Sequence, residues 1–160
     1  MSNPAARVLG VHIAAGVAHL ALVECPDIPL LDETSKLVPS SHLADAAQLR
    51  DFSLRFTQEL RRVRAETVAV AYTRLYGGWT YADAFKRVSL EAAIMLGVEE
   101  QGFRYISMPQ EKAAKAVGVP VTRVPTALAE SLGLSTKPVS WKERSVALMV
   151  ALAGAAELTG

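Results

Sequence analysis

The sequence predicts an α/β domain with a mixed sheet, headed by an antiparallel hairpin and flanked by helices. Three observations carry that expectation. Two apolar, β-branched runs, Arg7–His12 (RVLGVH) and Val17–Glu24 (VAHLALVE), are separated only by a short segment containing Ala14, Ala15 and Gly16, the pattern of two strands around a glycine turn. Further along, strand-like and helical segments alternate, which implies parallel strands joined by right-handed crossovers. With 51% hydrophobic and 21% charged residues in 160, the chain can bury a substantial core, and general disorder is excluded.

In order, a third extended piece is expected within Ile28–Val38, punctuated by Pro26, Pro29 and Pro39. A long amphipathic helix follows from about Leu43 to Val63, with Phe52, Phe56, Leu60 and Val63 on its apolar side and several arginines opposite. Thr67–Tyr72 reads as a strand, and Gly77 and Gly78 as a break. Tyr81–Leu96 reads as a second helix, closed by Gly97. Phe103–Ser107 is the next strand, followed by helices at Gln110–Val117 and Thr122–Leu132, which end at Gly118 and Gly133. The last helix spans about Trp141–Leu158. Its core, Ser145–Ala156, is apolar all round but too short to span a bilayer, so it is expected in the interior. There is no repeat and no linker long enough to divide domains, so residues 1–160 are expected to form one domain. The polar opening residues carry no apolar leader, and a reducing cytoplasm is the expected location, with no membrane partner.

Charge and cysteine content narrow the chemistry. The formal net charge is +1, which argues against a protein that coats nucleic acid by charge alone. The charge is uneven, however: Gln101–Ser145 holds seven Lys and Arg against three Glu. Cys25 is the single cysteine, which excludes an internal disulfide and a cysteine-rich zinc site. Tyr72, Tyr76 and Trp79 flank Gly77-Gly78, where aromatics can stack on bases or anchor a protein contact. Gly10 and Gly16 either permit the hairpin turn or let a phosphate approach it.

The order of these segments resembles that of RuvC-type Holliday-junction resolvases of the RNase H-like superfamily. The opening VLGVHIAAGVAHLALVE is similar to their first hairpin, VAVA (68–71) to their second strand end, and the segment from Tyr105 through Pro109 to Gly118 to their third strand end and the helix after it. VTRVPTALAESLGL and ERSVALMVALA resemble their last two helices. The resemblance implies a nucleic-acid cleft and four carboxylates that hold two divalent ions, which activate water and stabilise the leaving oxygen. At the four matching positions this chain has His12, Ala71, Glu143 and Val146. One carboxylate is too few for a hard, anionic cage, so no metal and no cofactor is expected.

The expected function is therefore a catalytically degenerate RuvC-like domain that binds DNA or RNA, or supports a nucleic-acid-processing assembly. Lys112, Lys115, Lys142 and Arg144 are the expected phosphate contacts, and Tyr76 and Trp79 the interaction residues. Two alternatives stand beside it: a protein-interaction module, including a homodimer through a helix face, and a hydrolase rebuilt around His12 and Glu143.

Overall fold

The computed structural model describes residues 4–72 and 79–160. The hairpin forms as its apolar runs require, with β1 (Arg7–Ala14) antiparallel to β2 (Val17–Glu24) and Ala14 opposite Val17 at the turn. Ala15 and Gly16 both have positive φ, 50° and 74°, the backbone that two-residue hairpin loops adopt. The third extended piece divides into two short strands on the outer side of β2, β3 (Ile28–Leu30) and β4 (Lys36–Leu37). Helix α1 (Asp45–Val63) leads to β5 (Thr67–Ala71), α2 (Tyr81–Glu100) and β6 (Arg104–Met108). Both β5 and β6 run parallel to β1, which gives the sheet order β3-β2-β1-β5-β6 with β4 also on β2. The chain closes with α3 (Gln110–Val117), a 3₁₀ turn at Val121–Arg123, α4 (Val124–Ser131) and α5 (Trp141–Thr159).

Strand alternation sorts the core into two layers. Leu9, Val11, Ile13, Val68 and Val70 face α1 and α2, where Phe52, Phe56, Leu60, Leu90 and Ile94 meet them. Val8, Ala21, Val23, Ala69, Ala71 and Met108 face α3, α4 and α5. With both faces covered, β1, β2 and β5 are apolar at almost every position rather than alternating. Helix α5 is buried along most of its length, as its composition predicts. Among the described residues no helix is long and apolar enough to cross a membrane.

Two expected boundaries are corrected. Gly97 does not close α2, which continues to Glu100. An added Cβ there would lie 2.8 Å from Ser53 Oγ and 3.0 Å from Thr57 Cγ2, so this glycine lets α1 and α2 approach each other. The helix expected at Thr122–Leu132 opens as the 3₁₀ turn and becomes α-helical only from Val124, with Pro125 in its first turn.

The contact that positions the functional end is the seat of α5 on the sheet. Gly154 lies over Val8 and Ala69, whereas Ala147 and Ala151 lie over Gly10. Four residues of helix advance about 6 Å and two of strand about 6.6 Å. One further step in this antiparallel match places Glu143 over His12.

Candidate functional site

The parallel strands β1, β5 and β6 end at the same edge of the sheet, the place where open α/β sheets present ligand sites. Beyond the last β1–β5 pair, Val11 with Val70, come His12 and Ala71. His12 points toward α5, and its Nε2 lies 3.2 Å from Glu143 Oε2. The ring is buried, and its Nδ1 has no hydrogen-bond partner among the described residues. His19 stands directly across the ladder from His12 and is also buried, its Nδ1 likewise without a partner.

Burial, followed by the charge of Arg87, pushes the pKa of His12 down to about 4 against the opposing pull of Glu143. At neutral pH the ring is therefore uncharged. With Nε2 donating its proton to the carboxylate, Nδ1 is left as the bare lone pair. The pKa of His19 is lowered too, first by burial and then by Lys36 and Arg144, with Glu143 opposing.

Two cavities open here. The inner one, about 410 Å³, is walled by His12, Tyr72, Arg87, Gln110, Glu111, Val121 and Glu143. The outer one, about 480 Å³, lies at the tip of the hairpin against Gly16, Trp79, Asp83, Lys86 and Arg87. Ala14 and Arg87 belong to both, so the two form one cleft. The Arg87 guanidinium carbon lies 5.1 Å from the centroid of the Trp79 ring, a cation–π contact that holds the side chain in place.

The four positions matched to the resemblance separate in character. His12 and Glu143 touch. Ala71, at the end of β5, and Val146, one turn after Glu143, are buried in the apolar layer beneath α5. Trp79 reaches the cleft, and Tyr76 lies outside the described residues.

The four cations expected to contact phosphate do not form one patch. Arg144 is a correction: it is 4% exposed, and its guanidinium donates to the carbonyls of Leu20, Leu31 and Thr34 at 3.2, 2.7 and 2.6 Å. Burial lowers its pKa, and its donors are spent inside the fold. Lys112 is exposed but pairs with Glu157 at 3.4 Å, almost four turns along α5 from Glu143. Lys115 is exposed on α3, and Lys142 is exposed next to Glu143 on α5.

Sequence reasoning missed Lys86, Arg87, Gln110 and Glu111. Arg87 had a readable signal. It occupies the inward stripe of α2, one turn before Leu90 and two turns before Ile94, and a cation in line with core residues marks where a helix passes from core to cleft.

No known family profile and no curated sequence matches the chain. Its fold does match solved structures. Thermus thermophilus RuvC in complex with a Holliday junction substrate superposes with a TM-score of 0.76 at 20% identity, over 97% of this chain and 96% of that one. A second structure of Thermus thermophilus RuvC gives 0.75 at 20% identity, over 96% and 95%. The yeast mitochondrial Holliday junction resolvase gives 0.66 at 10% identity, over 98% and 80%. With a hairpin-led mixed sheet, two crossover helices on one face and a long apolar helix on the other, the chain has the RuvC-type form of the RNase H-like fold.

Proposed function

We propose that this protein is a catalytically degenerate RuvC-like domain that binds branched nucleic acid without cutting it through paired metals. The observation that carries the reading is the His12–Glu143 contact beside Arg87. Two divalent ions would need several anionic oxygens at this point. The cleft instead has a neutral imidazole holding the single matched carboxylate, with a guanidinium beside it. Among the described residues no three His, Cys, Asp or Glu side chains are placed to hold a metal ion. The donor set does not fit a metal pair.

Lys142, exposed next to Glu143 on α5, and Lys115 on α3 remain the outer phosphate contacts in this reading, with Lys112 behind its pair with Glu157. A cytoplasmic setting belongs to this proposal as well. Burial and then Glu24 raise the pKa of the Cys25 thiol, which makes it a poor nucleophile.

The test is fluorescence anisotropy with a labelled four-way DNA junction, a linear duplex and a single-stranded RNA across a salt series. The junction is expected to bind at low salt and to weaken steeply as salt rises. Lys142→Glu is expected to reduce affinity on every sequence by about tenfold. Absence of binding at low salt overturns the reading. So does cleavage in Mg²⁺ or Mn²⁺ that vanishes in His12→Ala, which instead supports the rebuilt hydrolase.

We also infer a homodimer through α2, on a separate observation. Tyr81, Phe85, Val88, Met95 and Leu96 lie along one side of that helix and are exposed, Tyr81 by 83% and Leu96 by 63%. Tyr81 and Phe85 stack at 6.0 Å. The stripe adjoins an apolar groove of about 560 Å³ between α1 and α2, walled by Leu49, Leu54 and Ala92. A second copy laid antiparallel would cover the stripe with the same stripe, as two-fold symmetry requires. Sedimentation velocity is expected to show a dimer that Phe85→Asp with Leu96→Asp converts to monomer. A monomeric parent protein at micromolar concentration sinks this inference.

A further inference from the structure

We propose that Glu143 has two seats, His12 in the free protein and the backbone N–H of Ser140 once a nucleic-acid phosphate enters the cleft, so that the first turn of α5 gates the site. The gate rests on the nucleic-acid reading above and adds how the cleft admits its ligand.

The residues that open α5 are written for one arrangement and adopt another. Ser140-Trp141-Lys142-Glu143 has the Ser-x-x-Glu spacing of a capping box. In a capping box the serine is extended and its hydroxyl accepts from the N–H of the glutamate, whose carboxylate reaches back to the N–H of the serine. Neither half of the box is formed. Ser140 lies in the left-handed region, with φ 59° and ψ 31°, and its side chain makes no cap bond. Its carbonyl instead accepts from the N–H of Glu143 at 3.1 Å and of Arg144 at 2.9 Å. The Glu143 carboxylate is on His12, 3.2 Å from Nε2.

A left-handed backbone is unfavourable for a residue that carries a Cβ, and the unmade cap forgoes a hydrogen bond as well. One charge-assisted hydrogen bond, from His12 Nε2–H to the carboxylate, offsets both. These effects are of similar size, so the two arrangements lie close in energy and a ligand can select between them. The helix itself has no need to shift. Trp141 donates from Nε1 to the Pro125 carbonyl at 2.8 Å, and Arg144 holds the carbonyls of Leu20, Leu31 and Thr34, which pins α5 while Ser140 and Glu143 rearrange.

An anion makes the selection. With Glu143 on His12, a carboxylate faces the inner cavity and the Nε2–H is already taken. With Glu143 on Ser140, that charge is withdrawn to the helix N-terminus, where it is favoured, and His12 offers its N–H to a phosphate oxygen.

The experiment reads the backbone conformation of Ser140 from its NMR chemical shifts and junction affinity from anisotropy. Without ligand, Ser140 is expected to be left-handed in the parent protein and an extended N-cap in His12→Ala. His12→Phe keeps a ring without the donor and serves should His12→Ala fail to fold. A left-handed Ser140 in the folded variant overturns the proposal. Saturating the parent protein with the four-way junction is expected to move the Ser140 signals to those of His12→Ala, and unmoved signals overturn it too. Ser140→Gly removes the hydroxyl and the left-handed cost together. It is expected to raise the melting temperature yet weaken junction binding about two- to fivefold, a combination that a merely structural serine does not give. If Ser140→Gly binds as tightly as the parent protein, the gate is wrong and the functional reading stands. If the parent protein binds no junction, the functional reading falls and the gate falls with it.

Discussion

Gly10→Ala is expected to lower the melting temperature by about 6–12 °C, from an overpacking cost of roughly 3 kcal/mol. The new Cβ would lie 1.9 Å from the Ala147 carbonyl oxygen and 2.8 Å from Ala151 Cβ. A backbone oxygen cannot rotate aside, so α5 must lift from the sheet along the line that also holds Gly154 over Ala69 and Val8. The same movement separates Glu143 from His12. The double variant Gly10→Ala/Ala151→Gly relieves only the side-chain contact and is expected to stay destabilised. Thermal melts followed by circular dichroism check both, and a melting temperature within about 2 °C of the parent protein would show that α5 does not sit as described.

Arg144→Met is expected to cost about 3–5 kcal/mol, among the largest single-residue effects in the molecule. β3 pairs with Leu22–Glu24 and β4 with Ala18–His19, so the ladder along the outer side of β2 is interrupted at Leu20. Ser35 O accepts from Leu20 N there, and Arg144 reaches from α5 to the carbonyls of Leu20, Leu31 and Thr34. The guanidinium thus closes the gap between two strands too short to meet. Methionine keeps the stem volume but strands three acceptors, two of the bonds being fully buried. Arg144→Lys is expected to be intermediate, since one ammonium group cannot match the spread of the planar fork. Chemical denaturation measures the three proteins together. An Arg144→Met protein within about 1 kcal/mol of the parent would mean that this charge is free for other work.

Local patterns made most of the fold legible. Apolar β-branched runs marked β1, β2 and β5, and three- and four-residue spacing marked α1. The uniform apolarity of α5 announced an interior helix. Gly97 shows the limit of such reading: a glycine near a helix end suggests a stop, yet its use is close packing against Ser53 and Thr57, which only the opposing helix reveals. Arg144 shows the same limit for charge. In a basic stretch it looks like its exposed neighbours Lys142 and Lys115, because side-chain direction on α5 depends on how the helix docks.

The amino-acid order by itself determined the hairpin, the alternation of strands and helices, and the presence of His12, Ala71 and Val146 where the resemblance places carboxylates, all properties of short segments or single residues. Tertiary structure alone decided that Glu143 turns to His12, that Arg144 serves the scaffold, and that Lys86 and Arg87 share a cleft with the hairpin tip. Those placements follow from the approach of α5 to Gly10 and of α2 to Gly16. The partners in such contacts lie far apart in the chain, so their relative position follows from packing the two core layers and not from any local periodicity.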